Sequence, residues 1–163
     1  MLTRTPVIIG FFIAMLIVGL SFGLVRNAVE GPLLDLIWTG AGAEARLAEM
    51  SADQRQAHIW GTLINDTLYP LAYGGFLAGL AGRFAGGRWQ GWVMLLPLAT
   101  VLLDFSENTV QVLALSGTAD LLALKSVLTP AKFGLLGLST LLALGLAVAA
   151  LLRWLMRRGA EKA

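Results

Sequence analysis

Four apolar blocks dominate the pattern along the chain: residues 7–25, about 58–81, about 92–115 and 131–152. Each runs to about 19–24 residues, so as a helix each measures roughly 28–36 Å, the thickness of a ~30 Å hydrocarbon core. Polar residues enter two of the blocks at helical spacing. In "LLDFSENTVQVLAL" (residues 102–115), Asp104, Glu107, Asn108 and Gln111 recur at i, i+3, i+4 and i+7, one stripe along one face. In the second block His58, Thr62, Asn65/Asp66, Tyr69 and Tyr73 form a similar stripe. Pro70 has no N–H for the carbonyl of Asp66, so the pattern predicts a free backbone acceptor beside that carboxylate.

The pattern therefore predicts an all-α chain: an integral membrane four-helix bundle, residues 1–163 forming one domain. Arg4 precedes the first block as it would in a secretory signal, but the block outruns the usual ~7–15 residues of a signal core. The reading is a retained first span. Between the first two spans lies a long loop. Here "GPLLDLIW" predicts a short helix lying in the membrane interface, with Pro32 at its start and Trp38 as its anchor. "AEARLAEM" predicts a second helical piece, and Ser51 with Gln54 a capping box leading into span two. "TADLLALKSVLT" reads as a further interfacial turn on the same side. These segments are expected to lie over the bundle as a lid.

Composition sharpens this picture. Of 163 residues, 57% are hydrophobic and 13% charged, where ordinary soluble domains carry about a quarter charged residues. Lys and Arg set the orientation. Arg4, Arg83 and Arg88 with Arg153, Arg157, Arg158 and Lys162 crowd one side. Arg26, Arg46 and Arg55, together with Lys125 and Lys132, are spread over the other. Both termini are thus expected in the cytoplasm, with Trp89, Trp92 and Trp154 at the inner interface and Trp38 and Trp60 near the outer one. Four spans with "LYPLAYG" in one and "DFSEN" in the next resemble bacterial inner-membrane proteins, which implies a location and no activity. The flanking cations account for the pI of about 9.4, so no nucleic-acid partner is invoked.

Depth brings the polar residues together. Asp66 lies about 12 Å below the outer start of its span, while Asp104 and Glu107 lie about 18 and 22 Å in from the inner start of theirs. These are similar levels in the outer half of the bundle, where Lys132 begins span four and Arg26 ends span one. Ionisable groups at mid-membrane cost roughly 2.5–3.5 kcal/mol each on insertion scales, so they are expected to face an internal pocket. One protonated and one ionised carboxyl in apolar surroundings form a general acid/base pair. Asp104 and Glu107 are the candidate pair, with Asp66 and His58 as second acid or relay. Asn65, Tyr69, Tyr73, Asn108, Gln111, Lys132 and Trp60 are candidate substrate contacts. A purely structural role is the competing reading: a carboxylate–Lys132 ion pair, with Asn65, Asn108 and Gln111 gluing helices at about 0.6–2 kcal/mol each.

Other chemistries fall away. Without Cys there is no thiolate, disulfide or iron–sulfur site, and a single His does not make a zinc site. Neither a metal nor a cofactor is expected. An all-carboxylate set at Asp66, Asp104 and Glu107 could in principle hold a divalent ion. The expected function is a membrane-embedded acid/base enzyme acting on a lipidic or isoprenoid substrate by isomerisation, cyclisation or hydrolysis. The alternatives are a non-catalytic lipid-binding or assembly protein, and a proton-coupled transport subunit. The expected partner is a membrane lipid or hydrophobic small molecule. Gly19-xxx-Gly23 and Gly75-xxx-Gly79 offer small-residue faces for helix packing or for a homodimer.

Overall fold

The computed structural model describes residues 1–160; Lys162, counted above among the tail cations, lies outside the described residues. The chain is all-helical. Five α-helices follow one another: α1 (Thr5–Val29), α2 (Gly40–Glu49), α3 (Ala52–Ala85), α4 (Gln90–Leu115) and α5 (Lys125–Ala160). Short 3-10 turns stand at Leu34–Leu36, Gly87–Trp89 and Leu122–Leu124. Helix α1 starts with Pro6 in its first turn, where a missing N–H costs nothing, and ends at Glu30 in the left-handed region. The Ser51–Gln54 capping box closes the start of α3 with both of its reciprocal hydrogen bonds.

Among the described residues, three helical segments are long and apolar enough to cross a membrane: Thr5–Val29, Gly87–Leu115 and Leu122–Ala160. The second expected span, inside α3, does not join them, because His58, Asn65, Asp66, two tyrosines and a run of glycines lower its hydropathy. Its place in the fold gives the reason. Helix α3 packs against α1, α4 and α5, and buries 14 residues. A helix packed by protein on several sides needs a fully apolar surface only on the face it leaves open, here Trp60, Leu63, Ile64, Leu68 and Leu71. By contrast, only 6% of the apolar window of α1 is buried.

The glycines of α3 explain the close approach of α1. A Cβ at Gly75 would lie 2.6 Å from the Phe11 ring, and one at Gly79 would lie 2.8 Å from the Leu2 carbonyl oxygen. The Gly75-xxx-Gly79 face is thus spent within the chain, against α1, rather than left open for a second copy. Gly79→Val is expected to lift the start of α1 and destabilise the protein by roughly 1–3 kcal/mol. Thermal unfolding in detergent would read this as a clear fall in Tm, and an unchanged Tm would refute the packing described.

The loop between α1 and α3 departs from expectation. "GPLLDLIW" forms no interfacial helix; it is a strap with a single 3-10 turn, and Leu33 and Leu34 are buried. Together with Val29, Ala43, Met50, Val110, Ala114, Leu115 and Leu122 they make an apolar cap over this end of the bundle. A free-standing amphipathic helix would have left that cap open. The last helix also begins earlier than the apolar block suggests, at Lys125 rather than near residue 131.

Candidate functional site

Beneath the strap, four separate segments deliver charged side chains to one place. Lys132 of α5 is the centre. Its ammonium lies 2.6 Å from Asp35 Oδ1, 2.6 Å from Glu107 Oε2 and 3.4 Å from Asp104 Oδ1. Glu107 is fully buried and accepts in addition from the Lys125 ammonium and the Thr129 hydroxyl. Asp104 Oδ2 accepts from the Tyr73 hydroxyl at 2.6 Å. Asp66 is 5% exposed and stands within electrostatic reach of Asp35, Asp104 and Lys132. It is the one carboxyl of the four outside the ion pairs among the described residues.

Helix geometry produces this arrangement. Lys125, Thr129 and Lys132 follow at i, i+4 and i+7 on α5, facing the Asp104–Glu107 stripe of α4. Asn108 donates its amide to the backbone carbonyl of Asp66 at 2.6 Å, the acceptor that Pro70 leaves free. That bond ties α4 to α3 where the α3 backbone has lost an internal partner. Gln111 is fully buried, and among the described residues neither polar atom of its amide has a hydrogen-bond partner; Asn108 Oδ1 likewise has none there.

Not every sequence candidate reaches the cluster. His58 is buried, but its Nε2 accepts from the Leu34 N–H at 2.9 Å, so the neutral ring carries its proton on Nδ1, 3.2 Å from Thr62. It pins the strap and touches no carboxylate of the cluster. Asn65 donates to Ser21 of α1 at 2.6 Å, and Tyr69 packs edge-on between Phe22 and Tyr73. Trp60 is 57% exposed and does not reach the carboxylate cluster. Arg26 is exposed and does not turn inward to balance the carboxylates.

Asp35, Lys125 and Thr129 were missed by the sequence reading. The signal for the first two was the one used for Asp104: a lone ionisable residue inside an apolar run, "LLDLI" and "LLALKSVL". The strap is held at several points. Asp35 reaches Lys132, the Trp38 ring stacks on Phe133 at 5.3 Å, and the Gly40 N–H donates to Ser126 at 3.0 Å. Asp35→Asn removes the charged fastening and leaves the apolar ones. Amide hydrogen exchange across residues 33–50 is expected to quicken on the order of tenfold or more, since hydrogen bonds to charged groups contribute about 1.5–3 kcal/mol. Unchanged protection would exclude the ion pair as a fastening.

Oxygens of Asp35, Asp104 and Glu107 lie within 4.8 Å of one another, a spacing suited to a metal ion. The set differs from the Asp66, Asp104 and Glu107 considered from sequence. Lys132 Nζ occupies the position among the three, so the residues themselves form a cage for an ammonium group. Three buried carboxylates, Asp66, Asp104 and Glu107, and the partly exposed Asp35 face two buried ammoniums, Lys125 and Lys132. Even without Asp35 the buried carboxylates outnumber the ammoniums, an imbalance a dry site closes by taking up protons or a cation. No protein-family profile, curated protein or solved structure matches the chain.

Proposed function

We propose that the chain is a four-span protein of the bacterial inner membrane, with both termini cytoplasmic and α1, α3, α4 and α5 as the spans. On this reading the cluster under the strap sits in the outer half of the bundle and performs acid–base chemistry on a lipidic or isoprenoid substrate. The observation that carries the proposal is the surplus of buried carboxylates, with Asp66 free of any ion pair beside an Asp104 that holds the Tyr73 hydroxyl.

The roles within the cluster follow from the partners. Glu107 is engaged by two ammoniums and a hydroxyl, which makes it the anchor of Lys125 and Lys132 rather than a proton donor. Asp104 and Asp66 are the acid/base pair. One gives a proton to a double bond or leaving oxygen while the other takes one from the neighbouring carbon or from water. Tyr73 steadies Asp104, and Lys132 stabilises negative charge as it develops. Substrate enters by displacing the strap, whose Asp35 is then released from Lys132.

Solvent isotope incorporation tests this without knowledge of the substrate. Proteoliposomes made with a bacterial lipid extract are incubated in D2O or H2(18)O and the lipids compared by mass spectrometry. A lipid species that gains label with the wild-type chain, and not with Asp104→Asn, is the expected result. No enzyme-dependent label in either solvent would favour the second reading, a non-catalytic lipid-binding or assembly protein. That reading draws on the complete engagement of Glu107, the pattern of a structural ion network. A transport role has less support: α4 and α5 meet through Thr100 and Ser139 at 3.3 Å, next to an apolar cluster that includes Val101, Ala143 and Leu146.

A further inference from the structure

At the C-terminal end of α5, residues 151–160 are exposed throughout. Two connected grooves flank its root. One, of about 440 Å³, is walled by Phe84 of α3 and by Ala147, Ala150, Leu151 and Trp154 of α5. The other, of about 240 Å³, is lined by Ala150, Arg153, Trp154 and Arg157. They share Ala150 and Trp154, so an apolar channel beside the helices runs directly into a cationic one beyond them. The Arg158 guanidinium lies 4.0 Å from the centroid of the Trp154 ring, bracing that shared wall and adding a third cation.

We infer that this composite groove binds an anionic phospholipid of the inner leaflet. An acyl chain lies along Phe84, Ala147 and Leu151, and the phosphate sits between Arg153 and Arg157. The order of the two grooves along α5, apolar then cationic, is the order of an amphiphile crossing from hydrocarbon to water. Small residues at 147 and 150 give the chain its depth. Guanidinium forks match phosphate oxygens, and Trp154 places an amphipathic ring at the headgroup level. A second copy of this chain fits the face poorly, because an isologous contact would set Arg153, Arg157 and Arg158 against their own copies. The inference rests on the membrane reading above and is independent of the acid–base assignment.

The test uses the full chain in nonionic detergent, offered equal amounts of phosphatidylglycerol and phosphatidylcholine with the same acyl chains and examined by native mass spectrometry. The wild-type chain is expected to retain phosphatidylglycerol preferentially, and inorganic phosphate in large excess should not displace it. Each juxtamembrane arginine contributes roughly a fivefold gain for an anionic lipid, so Arg153→Gln with Arg157→Gln should lower retention roughly 25-fold. Both side chains are exposed, and an unchanged melting temperature would confirm that the fold is kept. Ala150→Phe, which fills the shared wall without altering charge, should reduce retention of both lipids. Equal retention of the two lipids by the wild-type chain, or retention indifferent to the arginine pair, overturns the proposal. So would a lipid-free dimer that the same substitutions dissolve. Failure of the membrane reading would look different: the chain would stay monodisperse after detergent removal.

Discussion

Lys132→Met is expected to destabilise the protein by about 3–5 kcal/mol. Methionine has nearly the length and volume of the lysine stem, so the loss reports charge rather than space. Lys132 Nζ touches Asp35, Asp104 and Glu107, and its removal leaves three carboxylates facing one another with Lys125 as the remaining cation. Part of that loss is recoverable. Asp35→Asn in the Lys132→Met background deletes one of the stranded charges, so the double variant should be more stable than Lys132→Met alone. Thermal unfolding of the four proteins in a double-mutant cycle measures the coupling. Additive effects would mean that the two residues do not form the pair described.

Glu107→Gln carries the second large expectation, and the partners of Glu107 in the structure make it one about stability. From spacing alone Glu107 is an acid/base candidate, so the amide variant should fold normally and lose activity. In the structure Glu107 is fully buried and is the ion-pair partner of Lys125, which is itself fully buried. Glutamine would leave that ammonium in the interior with only a neutral partner, a loss of about 3–5 kcal/mol. Glu107→Gln should therefore melt well below the wild-type chain in detergent. A variant of wild-type stability would return Glu107 to the list of proton donors and make the ion pair with Lys125 dispensable.

Much of the cluster was legible because helices convert spacing into direction. The Asp104–Gln111 stripe, the free carbonyl of Asp66 and the nearness of Asp104, Glu107 and Lys132 all follow from a period of 3.6 residues and from depth along the spans. Trp60 was readable too: it sits about 200° around the helix from His58, so one stripe cannot hold both. Asp35 stands out as a lone carboxylate in an apolar run, but its partner was not legible. Its segment has no helical period, and which residue of the strap meets Lys132 is decided by how Leu33 and Leu34 seat in the apolar cap. His58 looked like the head of a proton path because Thr62 and Asp66 follow it at i+4 and i+8. Its other nitrogen, however, is taken by a backbone amide of that same strap. Sequence periodicity gives the directions of side chains on one helix, whereas partners supplied by an irregular segment come only from the folded chain.

Asp66→Asn tests the central claim most directly, that the carboxylates outside the ion pairs serve chemistry rather than the fold. The substitution keeps shape and hydrogen-bonding capacity, and Asp66 has no ammonium to strand among the described residues. Two readings are taken on the same variant: thermal stability in detergent, and rescue of the cellular phenotype produced by deleting the protein. The expected protein melts at or above the wild-type temperature, since no ammonium loses a partner, and fails to rescue. A stable Asp66→Asn protein that rescues fully would contradict the claim and leave the cluster as a structural ion network.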